Sequence, residues 1–261
     1  MKDLYIFVTT DRPDQYLNPI VHCIEQGVRK IVFIQVKDDR IKEVRLNSLQ
    51  TNVYSLLQSL SNGIYKYYTG DSTEKEIELE AIYNASDLAE LKAKYALCLT
   101  DSISWSVDRV EYSQLRSFIS NLGKRKNVIL DVTSVSKVYI GDIFACSLLE
   151  NINNLCTFEL IFAPNYEKPW EILIHDLAKN EGYKYVNLIE TEIFKKSGQS
   201  ILIKTTPLLA SIIGTVIFVS VTLAATFVLG FNSTFIQVVS IIGTVLGIIS
   251  FFLVYFPVRG K

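Results

Sequence analysis

The stretch Asp131-Val132-Thr133-Ser134-Val135-Ser136-Lys137 places a carboxylate, three hydroxyls and an ammonium side by side. It follows the apolar run Val128-Ile129-Leu130 and precedes a segment with Ile140, Ile143, Phe144 and Leu148 at helical spacing. Hydroxyls and a lysine at the mouth of a helix can hydrogen-bond phosphate or ribose oxygens, and the free amides of a helix N-terminus favour an anion. A second polar stretch, Thr9-Thr10-Asp11-Arg12, follows the apolar run Leu4 to Val8. A plainer use is open to both: Ser and Thr are favoured helix caps, and Lys137 can be an ordinary surface lysine.

Other chemistries find less support. There are no dinucleotide-binding glycines, no P-loop and no GxSxG elbow. Cys23, Cys98, Cys146 and Cys156 form no CxxC pair, and the histidines are His22 and His175, so zinc lacks converging ligands. The cysteines lie in apolar runs, as buried reduced thiols in a reducing cytosol would. His22 reads as a packed helix residue. Asp11, Asp101 and Asp131 each follow an apolar run and could meet at one sheet edge around a divalent metal, or arise from turn preference alone. No cofactor is expected.

The elements that must position these loops follow from periodicity. Leu4 to Val8 and Lys30 to Val36 read as buried strands. Between them Leu17, Ile20, Val21 and Ile24 mark a helix opened near Pro13 and ended near Gly27. This is a βαβ unit, which predicts a parallel sheet covered on both faces. Leu49 to Leu60 and Leu115 to Leu122 mark further helices, Gly123 can end the second, and Cys156 to Phe162 reads as another strand. Ile64 to Tyr68 and Tyr95 to Leu99 are strand candidates, Glu74 to Lys94 is rich in helix formers, and Trp170 to Leu188 can hold a helix and a strand.

The expected architecture is α/β, an open, mostly parallel Rossmann-like sheet with helices on both faces, followed by a two-helix transmembrane hairpin. From Thr205 to Val258 the chain carries no Asp, Glu, Lys, Arg or His, which leaves 24 basic and 27 acidic residues before it, a formal charge of −3. That balance has no large basic field and argues against DNA as a partner. Residues 207–230 and 235–256 would each reach about 33 to 36 Å as helices, against a hydrocarbon core of about 30 Å. Lysines before the first run and Arg259 and Lys261 after the second place both ends in the cytoplasm, hence a multi-pass protein of the inner membrane in contact with lipid. The repeated Ser-Ile-Ile-Gly-Thr-Val and the Gly243-x-x-x-Gly247 pair make Gly214, Gly243 and Gly247 candidates for association between copies, or for packing of one hairpin on itself.

The βαβ start, its polar loop and the run Asp131-x-Thr133-Ser134-x-Ser136-Lys137 together resemble the CARF domains, the CRISPR-associated Rossmann-fold sensors of cyclic oligoadenylate. The usual loop of that family looks like Asp-x-Thr-Gly-Gly-Thr-Lys. Asp131, Thr133 and Lys137 match it, Ser136 stands for Thr, and Ser134 and Val135 replace both glycines. The resemblance covers residues 1–165, with 166–206 a connector and 207–256 the hairpin. It implies a homodimer or higher homo-oligomer that binds a cyclic oligonucleotide through Thr9, Thr10, Asp11, Arg12, Asp131, Thr133, Ser134, Ser136 and Lys137. The implied function is an antiviral effector that responds by disrupting the membrane. The alternatives are a tail-anchored, metal-independent ring nuclease and a membrane-held scaffold.

Overall fold

The computed structural model describes residues 2–40, 42–68, 74–125, 127–150, 152–165, 167–192 and 205–229, with a few more between 234 and 247. Two compact units divide the chain, Met1–Thr191 and Glu192–Lys261.

The first unit is built on a six-stranded sheet. Its strands are β1 (Lys2–Phe7), β2 (Val28–Lys37), β5 (Ser104–Glu111), β6 (Val128–Asp131), β7 (Leu155–Leu160) and β8 (Tyr183–Asn187), in the order β5-β2-β1-β6-β7-β8. The first five run parallel and β8 pairs antiparallel to β7. A separate antiparallel hairpin joins β3 (Ile64–Tyr68) to β4 (Glu74–Glu78). The helices are α1 (Asp14–Glu25), α2 (Leu46–Ser61), α3 (Ala85–Leu97), α4 (Leu115–Gly123), α5 (Lys137–Leu149) and α6 (Ile174–Lys179).

The unbroken apolar strands have the reason expected of a parallel sheet, which is burial on both faces. Leu4, Ile6 and Val8 belong to a core that also holds Leu17 and Ile20 of α1, Val53 and Leu57 of α2, Leu91 of α3 and Ile174 of α6. Tyr5 and Phe7, pointing the other way, belong to a core with Ile119 of α4 and Tyr139 and Ile143 of α5. Alternation along one strand thus assigns the two layers. Gly27, at φ 88°, turns the chain from α1 into β2, where its N–H donates to the Ile24 carbonyl at 3.0 Å. Gly123 is the last residue of α4, and a Cβ there would stand 2.6 Å from the Glu150 carbonyl oxygen, so no larger residue fits.

Several local readings change. Tyr95 and Leu97 close α3 instead of forming a strand, because Leu88, Leu91 and Tyr95 make one buried helical face. The helix-rich stretch opens as strand β4, which pairs with β3 before α3 begins. β5 escapes notice in the sequence because its burial is mostly partial, as befits an edge strand. Asp101 precedes β5, at the amino ends of the parallel strands, whereas Asp11 and Asp131 lie at their carboxyl ends, so the three aspartates cannot share a metal. Among the described residues no cluster of three or more His, Cys, Asp or Glu could hold one.

In the second unit, α7 spans Thr205–Leu229. Hydroxyls of Ser220, Thr222 and Thr226 donate to the carbonyls of Val216, Phe218 and Thr222 at 2.8, 2.8 and 2.7 Å. The expected transmembrane hairpin is overturned: among the described residues no helix is long and apolar enough to cross a membrane. Crossing takes about 20 continuous apolar helical residues. Absence of charge between Thr205 and Val258 prompted the expectation, and an uncharged run is not by itself a spanning helix. The inner-membrane placement, with both ends cytoplasmic, loses its basis with it. Most of 235–256 lies outside the described residues. Gly243 packs against the Phe218 ring of its own chain, leaving no room for a Cβ, whereas Gly214 and Gly247 have open space around them.

Candidate functional site

β1 lies between β2 and β6, so the chain leaves it in one direction and later returns on its other side. In an open α/β sheet this switch point leaves a crevice beyond the carboxyl ends of the strands. The loops after β1, β2 and β6 meet there around an open cleft of about 610 Å³ lined by Thr9, Thr10, Arg40, Lys42, Thr133, Ser134, Val135, Ser136 and Lys137.

The loops are tied to one another and to the helices they open. Thr9 Oγ1 donates to the Ser134 carbonyl at 2.6 Å, bridging the first and third loops. Thr10 is folded onto α1: its Oγ1 donates to Gln15 Oε1 at 3.0 Å and its carbonyl accepts from Tyr16 Oη at 2.8 Å. In the third loop the Val135 N–H donates to the Val132 carbonyl at 3.2 Å, a tight turn into α5. Ser136 occupies the N-cap of α5 but its side chain makes no capping bond. The plain helix-cap reading therefore does not account for that hydroxyl.

Asp131 does something other than face the cleft. It is fully buried at the end of β6. Its Oδ1 accepts from the Thr133 N–H at 3.0 Å, and Oδ2 accepts from Thr133 Oγ1 at 3.0 Å and Tyr185 Oη at 2.8 Å. Thr133 Oγ1 in turn accepts from the Phe158 N–H at 2.8 Å. Asp131 and Thr133 thus form a bracket that sets the loop from below. Burial pushes the Asp131 carboxyl up to about 6, although the hydrogen bonds from Thr133 and Tyr185 pull the other way. The same burial, with the Asp131 charge beside it, raises the Tyr185 phenol and pushes the Cys156 thiol up to about 12.

Six of the nine sequence-derived residues, Thr9, Thr10, Thr133, Ser134, Ser136 and Lys137, line the cleft. Asp131 sits beneath it, and Asp11 is exposed outside the lining. Arg12 turns to Asp14, with Nη2 to Oδ2 at 2.7 Å and Nε to Oδ1 at 3.3 Å. Arg40 and Lys42 were missed, although the available signal was Asp38-Asp39-Arg40-x-Lys42, a charged loop after a buried strand. Among the described residues Lys42 and Lys137 enter no ion pair within 4.0 Å, whereas Arg40 is held by Asp38. The cleft therefore combines three cationic side chains with hydroxyls and the amino end of α5, an environment for an anion bearing several oxygens. His22, as its pattern predicted, is packed: Nδ1 lies 3.1 Å from Tyr183 Oη and its ring against Tyr185.

No known protein family matches the chain, and no curated protein matches it. Among solved structures it is similar to that of Enterococcus italicus Csm6 bound to cyclic hexa-2′-fluoro-hexa-dAMP, at 8% identity and a TM-score of 0.37. The match covers 99% of this chain and 59% of that one, so the chain spans about three fifths of that protein's length.

Proposed function

We propose that the Met1–Thr191 unit is a sensor that binds a cyclic oligonucleotide, of the cyclic oligoadenylate class, in the cleft over β1 and β6, and that it serves antiviral defence. The observation that carries this reading is the convergence of Lys137, Ser134, Ser136 and Thr9 at the switch point, with the Ser136 hydroxyl making no capping bond. The ligand class rests on the resemblance of residues 131–137 to the CARF loop. In this reading Lys137 neutralises a phosphate, Ser134 and Ser136 donate to phosphate or ribose oxygens, and Asp131 and Thr133 hold the loop in shape.

A homodimer is part of the proposal. α5 has only Tyr139, Ile143 and Ser147 buried, and its outward side carries Val138, Gly141, Ala145 and Leu149. This mostly apolar side, flanked by Lys137 and the half-exposed Asp142, is a surface that a second copy could cover. Because α5 begins at the cleft, pairing through it would bring two clefts together around one two-fold symmetric ring.

The test is thermal unfolding of the full-length chain with cyclic di-, tri-, tetra- and hexa-adenylates, beside Lys137→Ala. A ligand at 100 times its dissociation constant adds about 2.7 kcal/mol. One compound should raise the wild-type Tm by several degrees and leave Lys137→Ala unmoved. No shift with any compound would remove the sensor reading. Recovery of intact ring from the same sample is expected; linear product would instead favour a ring nuclease.

A further inference from the structure

Arg40 is held in a way an ordinary surface arginine is not. Asp38 Oδ1 accepts the Arg40 backbone N–H at 3.0 Å and its Oδ2 accepts Nε at 2.8 Å and Nη2 at 2.5 Å, so one carboxylate sets both the turn and the guanidinium. Its Cζ lies 4.3 Å from the centre of the Tyr112 ring and 5.0 Å from that of Tyr139. These rings come from different elements: Tyr112 follows β5 and Tyr139 stands in the first turn of α5. Tyr112 is fixed in turn, its Oη donating to Asp142 Oδ2 at 2.9 Å. The Asp38 carboxyl is held below the usual carboxylate range, chiefly by the hydrogen bonds from Arg40.

We propose that Arg40 is a phosphodiester contact of the cleft, and that Asp38, Tyr112 and Tyr139 are its positioning residues. The inference rests on the sensor reading above. It names the phosphodiester as the group recognised and adds a residue from the loop after β2. A free arginine gives up rotamer entropy when a ligand fixes it. Here Asp38 and the two rings fix it beforehand, and its side chain remains 44% exposed while lining the cleft. The planar guanidinium matches the paired oxygens of a phosphodiester, which an ammonium meets only as a point charge.

The plain alternative is a staple joining the β2 loop to α5, and binding separates the two. Dissociation constants of cyclic di-, tri-, tetra- and hexa-adenylate would be measured on the full-length wild type, Arg40→Ala, Arg40→Lys, Tyr112→Leu and Lys137→Ala at two salt concentrations, with inorganic phosphate as a control ligand. Loss of a charge-assisted contact predicts about 10- to 100-fold weaker binding for Arg40→Ala, with a shallower salt dependence. Arg40→Lys should recover only part of it. Tyr112→Leu, which keeps the charge but loosens it, should weaken binding several-fold with the salt dependence retained. Arg40→Ala and Arg40→Lys binding as wild type does, while Lys137→Ala loses the ligand, would overturn the inference and leave the sensor reading standing. Wild type that binds none of the cyclic di-, tri-, tetra- and hexa-adenylates, or binds inorganic phosphate equally well, would bring down both.

Discussion

Asp131 shows how a residue can look like a ligand and act as its foundation. In the sequence it heads a polar loop, and its register with Ile6 of β1 puts it at the buried end of a central strand. Its oxygens are taken by Thr133 and Tyr185, and ionisation in that setting is disfavoured by burial. The consequence for stability has a definite sign. With a carboxyl near 6 in the folded protein and near 4 unfolded, its contribution is complete below about pH 4 and is lost as pH rises through about 6. The loss is on the order of 3 kcal/mol. Asp131→Asn keeps one acceptor oxygen for the Thr133 N–H and removes the charge. Relative to wild type it should therefore gain stability between pH 4 and 7 in urea unfolding, and a constant difference across that range would refute the assignment. Asp131→Ala, which strands the Tyr185 hydroxyl and the loop, should instead lose about 1 to 3 kcal/mol at pH 5.

Helix α5 is apolar on nearly all sides yet has little of itself buried in one chain, which is unusual for a helix of that composition. Val138→Glu adds a charge where the side chain is 48% exposed, so the fold should keep its stability within about 0.5 kcal/mol. If α5 meets a second copy, the same change should yield monomer in sedimentation, while an unaltered dimer would exclude that face. The turn between α1 and β2 offers a contrasting case. Gly27 has nothing within 4 Å of where a Cβ would stand, so Gly27→Ala meets no clash, only the left-handed backbone. The expected cost is about 1 to 2 kcal/mol, read as a lower Tm with ligand binding unchanged.

For the whole molecule, a ligand shared between two clefts predicts one ring per two chains in calorimetric titration. A ratio of one per chain would leave each cleft acting alone. Much of the first unit was legible from local pattern. Continuous apolar strands, the helical spacing in α1, α2, α4 and α5, and the stops at Gly27 and Gly123 are short-range signals, written within a few residues of where they act. So was the polar loop after β6, whose hydroxyls and lysine line the cleft. The edge strand β5 and the swap of Tyr95 into α3 were not legible, because an edge strand is only half covered and a short apolar run suits helix and strand alike. The run without charge between Thr205 and Val258 showed apolar composition, which is not the same as a span. Tertiary structure alone decided which loops meet. Strand order puts the β2 loop beside those of β1 and β6, bringing Arg40 onto Tyr112 and Tyr139, and the parallel strand direction leaves Asp101 at the other end of the sheet. Those neighbours lie far apart in the chain, and sheet topology determines such long-range proximity where residue spacing cannot.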